Sequence, residues 1–175
     1  MASVIKKVFE IEIPVIDQTV SALSLTQDGL NGKFIKLDLT RALKGKNAEA
    51  SFRIVKENNT LIGKPHSMMI LPSYIRRIMR KGVSYVEDSF ICQTKDGSII
   101  IKPFMLTRKK VHRRIRNALN QKTREILNNS LKERTTEEAF SLILDSKLQK
   151  VVSLQLKRIY PLSFFDFRVV KVGKQ

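Results

Sequence analysis

The sequence predicts an α+β protein with an antiparallel sheet or a β-barrel-like core, flanked by a short basic helix and two longer C-terminal helices. Short apolar and β-branched runs, separated by Gly, Pro and Asn, fill the first half. A further apolar hairpin surrounds Asp96-Gly97, and the last third has helical periodicity. Because 175 residues is an ordinary length for one domain, we expect a single domain over 1–175, mainly β over 1–107 and helical over 108–175 with a final strand.

The first elements are predicted strands that assemble into a β-meander. Turn residues such as Pro14, Asp28-Gly29 and Gly32 separate them, and Asn58-Asn59 tolerate the positive φ of a tight hairpin turn. Residues 64–72 are expected to be a long connection. The predicted strands are Val4–Ile13, Thr19–Leu25, Lys33–Leu39, Ala50–Lys56 and Thr60–Ile62.

A short basic helix and a hairpin follow. Pro72 and Ser73 favour a helix start, so we expect a helix over 72–81 that Gly82 ends in the left-handed conformation. The Asp-Gly pair of Lys95-Asp96-Gly97 is typical of a hairpin turn. The arms of that hairpin are Val83–Thr94 and Ser98–Thr107.

Two long helices and a strand complete the chain. The first is predicted from Arg108 to about Asn128. The second runs from Thr136 to Ile159, with Thr136 as its cap and acidic residues in its first turn. Pro161 ends it, and Phe164–Val172 returns to a strand.

The chain is strongly basic and its charge is concentrated. Its 33 Lys and Arg exceed its 16 Asp and Glu, which gives a net charge of +17 and a pI near 10.3. Residues 102–134 hold 11 basic and 2 acidic residues, so they carry +9 of the +17. Like charges repel unless a polyanion neutralises them, and nucleic acid is the commonest cellular polyanion.

The first long helix is expected to present this charge on one face. A helical wheel predicts a buried stripe of Val111, Ile115, Ala118, Leu119 and Ile126, with the stem of Lys122 packed in the stripe and its ammonium reaching outward. The outer face interleaves cations with Asn117, Asn120 and Gln121. Those cations, which match phosphate geometry, are Lys109, Lys110, Arg113, Arg114, Arg116 and Arg124. The alternative is an ordinary solvated face.

The short helix adds Arg76, Arg77, Arg80 and Lys81, four cations within six residues. We interpret them as a second phosphate-contacting edge, and an ordinary amphipathic surface helix is the alternative. Together with Lys122, the two helices supply eleven predicted RNA-binding residues.

Catalytic and cofactor chemistry is not indicated. Cys92 is the only cysteine, and His66 and His112 are far apart in the sequence. The adjacent carboxylates of Glu87-Asp88 point in different directions on a regular element, so they do not form an acid–base pair. We therefore expect no enzyme activity, cofactor, metal or small-molecule substrate.

The cellular location follows from the same composition. A single cysteine fits a reducing compartment, and no signal sequence or run of ~18–20 apolar residues is present. We expect a cytoplasmic protein without a membrane partner.

The order of motifs resembles a known family. Residues 73–82, Thr94-Lys95-Asp96-Gly97, the basic helix and Lys157-Arg158-Ile159-Tyr160-Pro161-Leu162 occur in the order seen in the small-ribosomal-subunit protein family of archaea and eukaryotes called S-three-a, or e-S-one. The resemblance covers about Phe52 to Val172, and residues 1–51 match only weakly. The absence of a long C-terminal extension suggests an archaeal member.

The resemblance implies a non-catalytic ribosomal protein that binds small-subunit rRNA and neighbouring small-subunit proteins. It implies a place on the platform, close to the 3′ end of the rRNA and the mRNA exit side. Two alternatives from other classes are a free nucleic-acid-binding regulatory protein and an RNA-processing enzyme that depends on Glu87 or Asp88.

Overall fold

We describe the fold from a computed structural model, which describes residues 7–43, 45–57 and 60–173. Within these ranges the chain forms nine strands, four α-helices and one short 3-10 turn. The strands are β1 Lys7–Ile13, β2 Gln18–Ser24, β3 Phe34–Asp38, β4 Ala48–Glu57, β5 Thr60–Ile70, β6 Tyr85–Glu87, β7 Phe90–Thr94, β8 Gly97–Thr107 and β9 Leu162–Val172. The helices are α1 Pro72–Ile78, α2 Arg113–Leu131, α3 Thr136–Leu144 and α4 Lys147–Leu156. The predicted turn at Asn58-Asn59 lies outside the described residues.

The nine strands form one open sheet, which confirms the predicted α+β class. The order is β2-β1-β5-β9-β8-β6, with β4 and β3 continuing from β5 and with β7 paired to β8. Almost all pairs are antiparallel, as predicted. The barrel alternative is wrong, because β2 pairs only with β1 among the described strands and so leaves an open edge.

The first five strands are not a simple meander, because β1 lies parallel to β5, with Ile11 opposite Leu61. A glycine permits this close approach. A Cβ added at Gly63 would lie 2.9 Å from Cγ1 of Ile13, so any larger residue there would push β1 away.

Strand β5 is much longer than predicted, and residues 64–70 belong to it rather than to a connection. A proline within the run argues against a regular strand, since proline has no N–H to donate. The structure accommodates Pro65 at an irregularity, where the pairing with β4 shifts register between Ser51 and Phe52. Such a bulge is a place where sheets accept proline.

The second hairpin is confirmed in its turn and in β8, but its first arm is two strands. β6 and β7 both pair with β8 and are separated at Asp88 and Ser89. The pairing of β8 with β9 shifts register between Lys102 and Pro103. On the other side of β8, the N–H of Asp88 donates to the carbonyl of Pro103 at 3.3 Å, but Pro103 has no N–H to donate in return. The missing donor of that proline explains the break.

The predicted second C-terminal helix is also divided. Ser146 has the left-handed conformation, with φ 58°, and separates α3 from α4. The side chain of Gln149 compensates, because its Nε2 donates to the carbonyl of Ile143 at 2.8 Å. The cap of α3 is Thr135 rather than Thr136: the Thr135 hydroxyl accepts from the N–H of Glu138, and the Glu138 carboxylate accepts from the N–H of Thr135.

Helix α1 is shorter than predicted and ends at Ile78, since Met79 is already extended. Gly82 does adopt a positive φ of 85°, but in the turn beyond the helix. Ile75 is buried in the core and Tyr74 packs near Phe164, with ring centroids 6.3 Å apart.

The main core lies between the sheet and helices α2 to α4. Buried side chains of α2 and α4, including Leu119, Val152 and Leu156, join Phe104 and Phe167 of the central strands. Each such side chain stabilises the fold by about 1.5–3 kcal/mol. A smaller cluster of Ile11, Leu30, Ile54 and Leu61 lies among the first strands.

One buried charge ties distant segments together. Asp166 of β9 is 1% exposed, and its carboxylate accepts from Nζ of Lys46 at 2.8 Å and Nε2 of Gln149 at 3.1 Å. The N–H of Phe167 also donates to it at 2.9 Å. A buried carboxylate needs such partners, so this network fixes the β3–β4 connection and α4 against β9.

Candidate nucleic-acid interface

The segment before α2 is not helical, and the chain bends at Arg108 and Lys109. Helix α2 begins at Arg113, five residues later than predicted, so Lys109 and Lys110 precede it. Hydrogen bonds outside any helix hold this segment. The Thr107 hydroxyl donates to the carbonyl of Lys109 at 2.6 Å, and the N–H of Val111 donates to the Ser84 hydroxyl at 3.1 Å.

Ser84 brings the two predicted cationic segments together. It lies three residues after Lys81, a chain reach of at most about 11 Å, and its hydroxyl contacts the backbone next to Lys110. The N–H of Ser84 also donates to the Thr107 hydroxyl at 2.9 Å. The residues that follow Lys81 and the residues that precede α2 therefore lie side by side.

Helix α2 buries one stripe, as predicted, but the stripe is shifted toward the C-terminal end. Leu119 and Ile126 are buried, whereas Val111, Ile115 and Ala118 are only half-buried. The pattern missed Thr123, Leu127 and Leu131, which are buried. Thr123 is hidden from a hydropathy pattern because it is polar; its hydroxyl donates to the carbonyl of Leu119 at 2.7 Å.

The eleven predicted cations are all exposed, and nine of them make no ion pair within residues 7–43, 45–57 and 60–173. The cations other than Lys122 and Arg124 are hereafter called the cationic surface. It consists of Arg76, Arg77, Arg80, Lys81, Lys109, Lys110, Arg113, Arg114 and Arg116.

Lys122 and Arg124 have carboxylate partners. Nζ of Lys122 lies 2.8 Å from Oε2 of Glu125, with nearly half of the lysine side chain exposed. The prediction that its stem packs in the apolar stripe is wrong, because the buried stripe passes through Thr123 instead. Arg124 binds both carboxylate oxygens of Asp88, at 2.5 and 2.6 Å, and lies 5.6 Å from the ring centroid of Phe90.

The carboxylates of the enzyme alternative are both engaged. Glu87 accepts from Nη1 of Arg168 at 2.8 Å and from the Tyr85 hydroxyl at 2.8 Å, while Asp88 is held by Arg124. Hydrogen bonds from Arg124 lower the pKa of Asp88. Burial, followed by the bond to Glu87, raises the pKa of Tyr85 to about 12. Asp88 is therefore ionised and Tyr85 protonated near neutral pH.

Cys92 is buried, and burial raises the pKa of its thiol to about 12. The thiolate, which is the reactive form, is therefore scarce at neutral pH. Cys92 is a core residue.

A small polar groove lies between α2 and β6. Its volume is about 200 Å³, and Arg113, Arg116, Asn117 and Asn120 line it together with Glu87. Oδ1 of Asn120 is buried and accepts no hydrogen bond from the described residues. An unsatisfied buried acceptor costs free energy, and a ligand donor would remove that cost.

The α1 cations are only lightly held. Nη2 of Arg77 donates to the carbonyl of Gly45 at 3.4 Å, and its guanidinium lies 5.2 Å from the ring centroid of Tyr74. Arg76 and Arg80 make no ion pair in the part of the chain that the structure describes. These side chains are available to an external anion.

Sequence reasoning missed a second cationic region on the sheet. Phe34, Arg53, His66 and Lys171 line a groove of about 870 Å³. They come from four different strands, and no local motif links them. The one signal in the sequence was Phe34, an aromatic residue that lies between Lys33 and Lys36.

The part of the chain that the structure describes lacks two further features. It contains no helix long and apolar enough to cross a lipid bilayer. It also contains no group of three or more His, Cys, Asp and Glu residues arranged to hold a metal ion.

The fold and the charge place the chain among small, strongly basic α+β proteins. A family model described as the Ribosomal S3Ae family matches residues 5–175. The chain belongs to that family, and the resemblance seen in residues 52–172 is confirmed. As a member of this ribosomal family it is a structural protein and not an enzyme.

Curated relatives carry the name "Small ribosomal subunit protein eS1". The one from Nanoarchaeum equitans is 25% identical over 142 residues, which are 78% of this chain and 72% of the relative. The one from Methanothermobacter thermautotrophicus is 30% identical over 94 residues, 53% of this chain and 48% of the relative. A relative from Saccharolobus islandicus is 27% identical over 139 residues, 78% of this chain and 67% of the relative. All three organisms are archaeal, which agrees with the expected archaeal origin.

Proposed function

We propose that this chain is a constituent of the small ribosomal subunit that binds rRNA phosphates through the cationic surface. The observation that carries the proposal is the set of nine exposed cations that make no ion pair within the described residues. The family membership and the names of the relatives support the ribosomal setting. The resemblance further suggests the platform, near the 3′ end of the rRNA and the mRNA exit side.

Electrostatics supports an anionic partner for this surface. Arg113, Arg114 and Arg116 occupy the first turn of α2, which holds no acidic residue, and no side chain caps the helix there. Cations at a helix N-terminus oppose the helix dipole, by typically 0.3–1 kcal/mol for each charge. Phosphates next to these arginines would remove that cost and release counterions.

The arrangement favours backbone contact over sequence recognition. Arginine side chains bind phosphate oxygens bidentately. The major groove of A-form RNA, in contrast, is too deep and narrow for side chains to reach the base edges. We propose that the cationic surface positions the protein on folded rRNA. Lys122 and Arg124 already have carboxylate partners and are not part of it.

Sedimentation tests the proposal directly. A tagged chain is expressed in a related archaeal host, and lysate is run on a gradient at near-physiological salt. We expect the chain in the small-subunit fractions and a loss of that association when Arg113, Arg114 and Arg116 are changed to alanine. A wild-type chain that stays at the top of the gradient contradicts the proposal.

The regulatory alternative gives a different binding preference. A free DNA-binding protein should prefer duplex DNA to structured RNA, since B-form and A-form helices present different phosphate geometry. We expect structured small-subunit rRNA fragments to bind more tightly than duplex DNA of equal length and at equal salt concentration.

The remaining expectations belong to the same proposal. We propose neighbouring small-subunit proteins as partners and a cytoplasmic location on the ribosome. We also propose one domain, because the larger core cluster contains residues of both the strand-rich half, such as Phe52, and the helical half, such as Leu156.

A further inference from the structure

An aromatic pair with one exposed member lies on the sheet, and neither residue belongs to the cationic surface. The ring of Phe34 is on β3 and is 54% exposed. It contacts the imidazole of His66 on β5, with centroids 4.8 Å apart and an angle of 51° between the ring planes. Because more than half of Phe34 is exposed, part of its ring is open to a ligand.

Strand register places cations around this pair. Phe34 is opposite Arg53, and Arg53 is opposite Lys64. Directly opposite residues of antiparallel strands share a face, so these three side chains form a row. On the next strand along, Lys171 is opposite Ser67, the neighbour of His66.

Two of these cations are available to a ligand. Lys64 is paired with Glu57, with 2.7 Å between Nζ and Oε1. Arg53 and Lys171 are exposed and make no ion pair within the described ranges. Both lie near enough to His66 for their charges, after desolvation, to lower the pKa of its imidazole. The ring beside Phe34 is therefore neutral at physiological pH.

The groove around the pair is large and mixed in character. Its volume is about 870 Å³, and Asp96 and Glu137 also line it. The carboxylates would repel the closely spaced phosphates of a double-stranded nucleic acid. They can, however, accept hydrogen bonds from the exocyclic amines of unpaired bases.

We propose that this groove, hereafter the sheet groove, is a second RNA-binding site that takes a short unpaired stretch of RNA. One base stacks on the exposed ring of Phe34, and Arg53 and Lys171 hold the neighbouring phosphates. Stacking requires a base that is free of its partner strand, which is why the ligand is single-stranded. The proposal goes beyond the function proposed above, since the sheet groove shares no lining residue with the cationic surface.

Tryptophan fluorescence tests the stacking contact. The chain contains no tryptophan, so Phe34→Trp introduces a single reporter at the proposed contact. Leu23→Trp is the matched control, because Leu23 is 65% exposed on β2 and does not line the groove. We expect decaadenylate to quench the fluorescence of the Phe34→Trp protein and not that of the control. Equal quenching in both proteins, or none in either, overturns the proposal.

Affinity gives the second measurement. Phe34→Ala should weaken binding of decaadenylate about 5- to 150-fold, the range expected for loss of one stacked base, while binding of a structured rRNA hairpin is retained. Because Phe34 is exposed, the variant should unfold at nearly the wild-type temperature. Wild-type affinity of Phe34→Ala for decaadenylate overturns the proposal.

Two further experiments distinguish RNA from an acidic peptide in the sheet groove, and the sheet groove proposal from the proposed function. Quenching of Phe34→Trp by polyglutamate as strong as that by decaadenylate would assign the groove to an acidic peptide and overturn the RNA site. The Arg113, Arg114 and Arg116 alanine variant should lose the hairpin and keep decaadenylate. If it loses the hairpin while Phe34→Ala binds decaadenylate normally, the sheet groove proposal is wrong and the proposed function stands.

Discussion

The guanidinium of Arg124 binds both oxygens of the Asp88 carboxylate, with Nε to Oδ2 at 2.5 Å and Nη2 to Oδ1 at 2.6 Å. The carboxylate side chain is only 10% exposed, whereas the arginine is about half exposed. Since Asp88 lies at the break between β6 and β7, this pair fastens the middle of α2 to the sheet. A residue that the charge pattern assigns to RNA therefore has a structural contact within the protein.

Loss of this pair should destabilise the fold. Asp88→Asn removes the charge with little change of shape, and we expect the free energy of unfolding to fall by about 1 kcal/mol, because a bidentate pair with one buried partner exceeds an ordinary surface pair. Urea unfolding measures the difference. Lys122→Ala is the control: it removes the exposed pair with Glu125 and should change stability by less than about 0.5 kcal/mol. Equal effects of the two variants would contradict the assignment.

The same pair predicts a pH dependence. Hydrogen bonds from Arg124 hold the pKa of Asp88 below its usual value of 3.8, so its stabilising contribution is present above pH 3.8 and is lost as the pH falls through the lower folded value. We expect the stability difference between the wild type and Asp88→Asn to be constant at neutral pH and to shrink below about pH 4. If the stability difference stays the same in acid, the ionised carboxylate of Asp88 is not the cause of that difference.

The cationic surface should bind RNA through phosphates. Replacing Arg113, Arg114 and Arg116 with alanine should weaken binding of unrelated structured RNAs to a similar extent and lower the log–log salt slope by about 0.7–0.9 for each lost contact. Filter binding at several salt concentrations measures both. A variant with Lys150, Lys157 and Arg158 changed to alanine, all exposed residues, removes the same charge elsewhere and should retain most of the affinity.

The first turn of α2 should be its least stable part. Residues 113–118 carry the arginines without a capping side chain, whereas 119–131 contain the buried stripe and Arg124. We expect hydrogen exchange in the free protein at low salt to be faster in 113–118 than in 119–131 or in β8. A polyanion should slow the first turn selectively. Uniform exchange along α2, unchanged by RNA, would show that packing alone orders the helix.

The cap of α3 offers a test with an adjacent control. Thr135→Ala removes the hydroxyl that accepts from Glu138 and should lower the free energy of unfolding by about 1 kcal/mol. Thr136→Ala lies inside the helix, where alanine is favourable, and should leave stability unchanged or slightly higher. The reverse ranking in thermal unfolding would assign the cap to Thr136.

Local features of the fold were predictable because their causes are local. The Asp96-Gly97 turn, the helix start at Pro72 and the exposed cations of α2 all follow from residue types within one or two turns of chain. The predicted cap of α3 differs from the observed one by a single residue, because Thr135 and Thr136 are adjacent and either fits the pattern.

Features that depend on distant contacts were not predictable. The parallel pairing of β1 with β5 depends on the approach permitted at Gly63, and the left-handed Ser146 depends on compensation from Gln149. In the candidate site the exposure of the cations was predicted, but the partner of Arg124 was not, since Asp88 lies 36 residues away. The sheet groove was missed for the same reason.

The position of β9 has a consequence for synthesis of the protein. β9 separates β5 from β8 in the sheet, yet it follows the end of β5 by 92 residues (162 minus 70). At ~5–20 residues per second, a nascent chain waits roughly 5–20 s before β9 can pair with β5. Open strand edges invite pairing with other chains. During that interval the surplus positive charge acts as protection, because nascent copies that repel one another associate less readily.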